Sequence, residues 1–184
     1  MGPKENISGI PRADLQSRGP WRRRIFWWLG GPIFASKTGL AVWRKIAAPL
    51  EASLINASGG RLKLNPAVPM VVLTSLGAKS GERRETPLAY FTDGDDVILI
   101  ASNYGSTRHP GWYHNLRANP KCELHIGPRG GSFVAKQVTD MADRDRLYGL
   151  AVDRLAGVFA LHDKRSGEAR TIPVMRLTPV DQAR

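Results

Sequence analysis

The chain has 184 residues, of which 42% are hydrophobic and 23% charged, enough for one domain with a real core. Its single cysteine, Cys122, excludes an intramolecular disulfide and any multi-cysteine metal site. The net charge of +11 calls for an acidic partner and is uneven: residues 1–65 hold 11 Lys/Arg against 3 Asp/Glu, residues 66–184 hold 16 against 13.

In chain order, Met1 to Pro20 is polar and rich in Gly and Pro, and reads as disordered. Trp21 to Leu29 joins arginines to aromatics and reads as a short helix ended by Gly30-Gly31-Pro32. Thr38 to Ile55 has apolar residues at three- and four-residue steps, with Pro49 as a kink. Two readings of this Trp-rich arm stand level: a surface that lies on anionic lipid, or a tail plus a packing helix. Its longest uncharged run, Ile25 to Ser36, is 12 residues, too short to span a bilayer, and a cleaved signal peptide fits poorly.

From residue 66 the pattern turns to strands. Met70–Ser75 is a continuous apolar run, Arg84–Phe91 alternates, and Asp93-Gly94 is a hairpin signal leading into Val97–Ser102. Pro110 opens a helix to Ala118; Cys122–Ile126 and Ser132–Thr139 form a hairpin across Gly127 to Gly131. Thr139 or Asp140 caps a helix bearing Leu147, Leu150, Ala151 and Leu155 on one face, and Thr171–Leu177 is the last strand. About six mostly antiparallel strands with inserted helices predict an α+β fold over residues 66–184, with residues 1–65 as a basic N-terminal helical arm.

The turn from Gly77 to Arg84 gathers Lys79, Arg83 and Arg84; it reads as an anion site or as a solvated hairpin tip. Neither a G-x-x-x-x-G-K-[ST] loop nor a G-x-G-x-x-G fingerprint is present. His109 and His114 are five apart with no carboxylate between them, which argues against zinc. Ser102 and Ser106 lack a nucleophile elbow, and Cys122 reads as an inert core thiol. Trp112 and Tyr113 either stack on a ring system or seal the core. No nucleic-acid-binding signature accompanies the basic residues.

Five segments in order carry a resemblance: Leu73 to Gly81, Arg84 to Leu88, Ala101 to Gly105, His109 to Pro120 and Thr171 to Val174. Together they resemble the deazaflavin-dependent nitroreductase family, whose members use coenzyme F420, an 8-hydroxy-5-deazaflavin. The resemblance runs from about Val68 to Val180 and implies a split β-barrel like that of FMN-binding oxidases. It implies that Ser75, Gly77, Ala78, Lys79, Ser80, Arg83 and Arg84 bind the cofactor's phosphate and oligoglutamate tail. Ala78 stands where many members have arginine, so Arg83 is expected to compensate. Thr86, Pro87, Leu88, Ala101, Ser102, Asn103 and Tyr104 are expected to line the ring, with His109, Trp112 and Tyr113 beside that loop. The family's substrate-site tyrosines are missing after the last long helix; Phe159 and His162 are the substitutes.

The resemblance thus implies an F420H2-dependent oxidoreductase passing a hydride to a lipophilic acceptor: a quinone, nitro compound or enone. Ser102 would hydrogen-bond the ring and His162 would donate a proton. The expected setting is cytoplasmic, peripheral on the inner face of the membrane through the arm, without nucleic acid or metal. Alternatives kept open are FMN in the same fold and a non-enzymatic binder of a lipid or other hydrophobic ligand.

Overall fold

The computed structural model describes residues 6–13, 15, 48–59, 68–155 and 171–180. Two short strands, β1 (Asn6–Ile7) and β2 (Ile10–Pro11), precede α1 (Ala48–Ser58). Then come β3 (Met70–Leu76), β4 (Arg83–Asp93), β5 (Asp96–Ile100), a 3-10 turn at Asn103–Gly105 and α2 (Gly111–Ala118). The hairpin of β6 (Lys121–Ile126) and β7 (Arg129–Gln137), α3 (Met141–Arg154) and β8 (Val174–Pro179) complete the described chain. The six strands β3 to β8 close into an antiparallel barrel in the order β3-β4-β5-β8-β7-β6, the α+β architecture that the strand pattern predicts.

The side-chain period of two and the strand register decide which residues fill this barrel. Leu73 lies opposite Leu124, Cys122 opposite Phe133, Ala135 opposite Leu177 and Leu99 opposite Met175, all buried. The alternate residues of β3 face outward. Val72 is nonetheless fully buried, because α1 lies across β3, β4 and β6. The described helix, Ala48–Ser58, includes Pro49 as its second residue. Residues 38–47 of the expected helix, and the expected helix at 21–29, lie outside the described residues.

Two sequence-based expectations fail locally. The β6–β7 connection is the two-residue turn Gly127-Pro128, with Ile126 opposite Arg129, rather than a loop to Gly131. Gly130 and Gly131 belong to the strand because the N-terminal segment presses on them. A Cβ on Gly131 would sit 2.8 Å from Ser8 Cβ, and one on Gly9 would sit 2.7 Å from the Gly130 nitrogen. The expected disorder of residues 1–20 is likewise corrected for residues 6–13. Ser8 (φ 43°) and Gly9 (φ 83°) make the left-handed pair of a tight hairpin turn, and Ile7 and Ile10 are fully buried. Tyr90 Oη donates to the Pro11 carbonyl at 2.9 Å, and Arg12 binds the Gly94 carbonyl and Asp95. This hairpin therefore plugs the end of the barrel that carries the β4–β5 and β6–β7 turns.

Polar staples tie α3 to that same end. Asp140 caps the helix, accepting from the Asp143 amide at 2.8 Å. Arg146 grips Asp93 through both guanidinium nitrogens, at 3.1 and 2.9 Å, and Asp143 at 2.7 Å. Arg176 on β8 reaches Asp93, Asp96 and Asp143 at 3.0–3.1 Å. The hydrogen bonds from Arg146 are the largest influence holding the Asp93 and Asp143 carboxyls below their ordinary value.

Candidate active site

The opposite end of the barrel carries the β3–β4 turn, the Ala101–His109 loop and α2. β5 pairs with β4 only from Tyr90 to Asp93, so among the described strands Arg83 to Ala89 shares a ladder with β3 alone. The barrel wall splits there, between the β3–β4 turn and the loop that follows β5, and this split is the candidate cleft. Alternation sorts the predicted residues of β4. Arg84, Thr86 and Leu88 lie opposite Ser75, Leu73 and Val71 and face the split. Arg83 and Pro87 face the outer surface, where Arg83 pairs with Glu123 at 2.9 Å. The expected compensation of Ala78 by Arg83 thus meets a side chain directed to the other face and already paired.

One rim of the cleft is the cationic turn. Gly77 N–H donates to Glu82 O and Gly81 N–H to Gly77 O, both at 2.8 Å, and Gly81 takes φ 68°. A Cβ on Gly77 would lie 2.6 Å from Ser80 Oγ and 3.1 Å from Arg84 Nε, so glycine is what lets Arg84 fold over the turn. Arg84 stays exposed, 3.3 Å from Glu82 and 3.5 Å from Ser80. Lys79 is exposed and has no ion-pair partner among the described residues. The Ala78 N–H points inward, to Asn115 Oδ1 at 3.0 Å.

The other rim runs from Ala101 to His109. Ala101 and Ser102 are buried, and the Ala101 N–H is held by Pro173 O at 2.9 Å. Asn103 (φ 48°), Tyr104 (φ 56°) and Gly105 (φ 77°) are three successive left-handed residues. Two of them carry side chains, at a strain of about 1–2 kcal/mol each. Asn103 Nδ2 offsets part of it by donating to the Arg108 carbonyl at 2.8 Å, closing the loop on itself.

Trp112 and Tyr113, open between two readings in the sequence, are both core residues of α2. Tyr113 Oη donates to Gln137 at 2.9 Å, and the ring packs on half-buried His109 at 4.9 Å between centroids. They seal the barrel beneath the loop. Cys122 is buried and its thiol is pushed up to about 12, chiefly by burial, so it takes no part in chemistry. The predicted substrate residues Phe159 and His162 lie outside the described residues. Asn115, which ties the two rims together, appears in the sequence only inside a longer motif. Nothing in its type or spacing announces that role.

A cationic turn and a polar loop at the same end of the barrel suit a flavin-like molecule with an anionic tail. Fold and site together define a split-barrel oxidoreductase of the flavin and deazaflavin type. The sequence model of the F420H(2)-dependent quinone reductase family matches residues 50–179, and the chain belongs to that family. It is 36% identical over 132 residues to an F420H(2)-dependent quinone reductase of Mycobacterium tuberculosis, covering 70% of this chain and 87% of that one. Among solved structures, an F420-H2 dependent reductase (FDR-A) aligns at 30% identity and TM-score 0.51, over 59% of this chain and 93% of its own. A domain-swapped dimer aligns at 26% identity and TM-score 0.53, over 77% and 99%. The protein is thus an F420H2-dependent reductase with coenzyme F420 as its cofactor. The donor set fits that molecule: exposed cations and spare turn amides at one rim suit a polyanionic tail, and an unpaired strand edge suits a flat polar ring.

Proposed function

We propose that this reductase acts on quinones, and that the split between β4 and the Ala101–His109 loop is where cofactor and acceptor meet. The observation that carries this reading is the seven-residue stretch Arg83 to Ala89, which β5 leaves unpaired between the two rims. Bound coenzyme F420, in its reduced form, supplies a hydride from its deazaflavin ring. The chain's part is placement and charge. Lys79, Arg84 and the amides of Lys79 and Ser80 hold the phosphate and glutamates. Ser75, Gly77, Thr86 and Leu88 floor the cleft on the β3–β4 side. Ala101, Ser102, Asn103 and Tyr104 cover the ring, with Ser102 orienting it by hydrogen bond. Trp112, Tyr113 and His109 support that cover from below. Arg83 and Pro87 act only indirectly, through the strand's outer face. Phe159 and His162 are assigned to the acceptor, with His162 donating the proton that completes its reduction.

The arm extends the proposal to a lipophilic quinone in a membrane. Among the described residues no helix is long and apolar enough to cross one. Residues 16–47 hold seven Lys/Arg, no Asp/Glu and four tryptophans, the chemistry of an anionic lipid surface. The experiment is a titration of the full chain with coenzyme F420 by fluorescence quenching, followed by F420H2 oxidation with a naphthoquinone, a nitroaromatic and an enone. Lys79→Ala/Arg84→Ala should weaken cofactor binding strongly, and less so in high salt as screening removes the contribution from the wild type. Quinone should be reduced fastest. Unaltered affinity in the double variant would place the tail elsewhere, and a quinone slower than both rivals would reassign the acceptor.

A further inference from the structure

We infer that Asn115 is a positioning residue: its buried carboxamide bolts the cationic turn to α2 and so fixes the distance between the tail-holding and ring-covering rims. The inference rests on the F420 reading of the cleft and adds to it. Asn115 lies on the face of α2 that otherwise buries Trp112 and Leu116, and is only 9% exposed. Burying a primary amide there is costly unless its donors and acceptor are used. Both of its ends go to the same strand and turn. Oδ1 accepts the Ala78 N–H at 3.0 Å, and Nδ2 donates to Ser75 Oγ at 3.4 Å. Ser75 is itself buried, so this link is sheltered from water.

The far side of the bolt is equally rigid. α2 follows directly on the Ala101–His109 loop, which Asn103 closes through the Arg108 carbonyl. Loop and helix therefore move as one piece, and Asn115 is where that piece grips the turn. The consequence for ligand chemistry is specific. The Ala78 N–H is consumed by Asn115, while Gly77 and Gly81 bond within the turn. The turn amides left without a partner among the described residues are those of Lys79 and Ser80, beside the Lys79 ammonium. Without the bolt the turn would still exist, but its donors would lose their fixed direction, and preorganisation is what makes exposed cations effective.

The test uses the full chain with two probes: coenzyme F420, and the deazaflavin ribityl chromophore that lacks phosphate and glutamates. Asn115→Ala should weaken F420 about tenfold, equivalent to about 1.4 kcal/mol, and leave the tail-less chromophore within about twofold. Lys79→Ala/Asn115→Ala should bind F420 no more than about threefold worse than Lys79→Ala alone, because both act on one element. Asn115→Leu keeps the side-chain size without either bond, so it carries the test if the alanine variant fails to fold. It too should weaken F420 more than the chromophore. Equal losses for both probes, no loss for either, or full additivity with Lys79→Ala would overturn the inference. Amide exchange in the ligand-free protein separates it from the functional reading. Loss of Ala78 N–H protection in Asn115→Ala, with the barrel unchanged, supports the bolt even if the wild type ignores F420; unchanged protection overturns it even if F420 binds.

Discussion

Gly131→Ala probes the contact that makes the N-terminal hairpin part of the barrel. The added Cβ would stand 2.8 Å from Ser8 Cβ and 3.0 Å from the Ser8 carbonyl oxygen. Carbon atoms pack best at about 3.5–4.0 Å, so the methyl enters at least about 0.7 Å too close. Ser8 cannot yield freely, since its φ of 43° is fixed by the tight turn and Ile7 and Ile10 on either side are fully buried. Overpacking of this kind costs about 1–3 kcal/mol. Replacing glycine returns about 0.4–1 kcal/mol through the unfolded chain. At mid-range, about 2 kcal/mol lost against about 0.7 returned, the clash wins by about 1–2 kcal/mol. For a chain of this size that lowers Tm by about 2–4 °C per kcal/mol, or about 2–8 °C in all. Differential scanning calorimetry reads the shift, and trypsin cleavage after Arg12, mapped by mass spectrometry, reads release of the hairpin. Ser8→Gly in the same chain removes one clashing atom and suits the left-handed turn, so the double variant should regain part of the loss. An unchanged or higher Tm for Gly131→Ala, with Arg12 still protected, would refute the plug.

Asp93 and Asp143 have carboxyls held below the ordinary value of 3.8 by Arg146 and Arg176. A lowered folded value means their stabilisation is complete above about pH 3.8 and lost as pH falls through the lowered values. Urea midpoints between pH 5 and 2 should therefore drop steeply below about pH 4, and Arg146→Gln should flatten that drop. Cys122, pushed up to about 12, should resist iodoacetamide at pH 8 in the folded protein and react only on unfolding. Asn103→Ala should destabilise by about 1–2 kcal/mol, because alanine tolerates the left-handed backbone less well and the bond to Arg108 is lost. Faster amide exchange confined to residues 102–109 would be its signature.

The barrel was legible because its strands obey a period of two and its turns advertise themselves. Met70–Ser75 reads as buried since α1 covers the outer face of β3, and Asp93-Gly94 reads as a hairpin because Gly94 takes φ 59°. The cationic turn and the Ala101–Tyr104 loop were visible as clusters of residue types. What the sequence hid was direction. Arg83 and Arg84 are neighbours with the same charge, yet alternation sends one to Glu123 and the other over the split. The Ser8-Gly9 hairpin went unread, because strands of two residues have no periodicity to show them and their burial depends on Gly130 and Gly131, some 120 positions away. Asn115 was unreadable for the same reason: a buried amide's value lies in its partners, Ser75 and Ala78, which only the fold supplies.

The two anchors of the N-terminal region change what its charge can do. Ile7, Ile10, Ala13 and Leu15 share one hydrophobic core with Ala52 and Ile55 of α1 and with the barrel. The chain is thus seated before residue 16 and seated again from α1 onward. Between these points run 32 residues with seven Lys/Arg and no Asp/Glu. This segment joins two anchors on the barrel instead of trailing from one. Any anionic surface that binds it would hold the whole barrel close, and the split between β4 and the Ala101–His109 loop with it. By effective concentration alone, that arrangement favours an acceptor already dissolved in the surface over one arriving from water. Liposomes of anionic lipid carrying a long-chain quinone should accordingly be reduced faster, per quinone, than the same ring in solution. Arg22→Gln/Arg23→Gln/Arg24→Gln should erase that advantage while leaving turnover of the soluble quinone unchanged. A triple variant that retains the liposome advantage would show that the charge serves another partner.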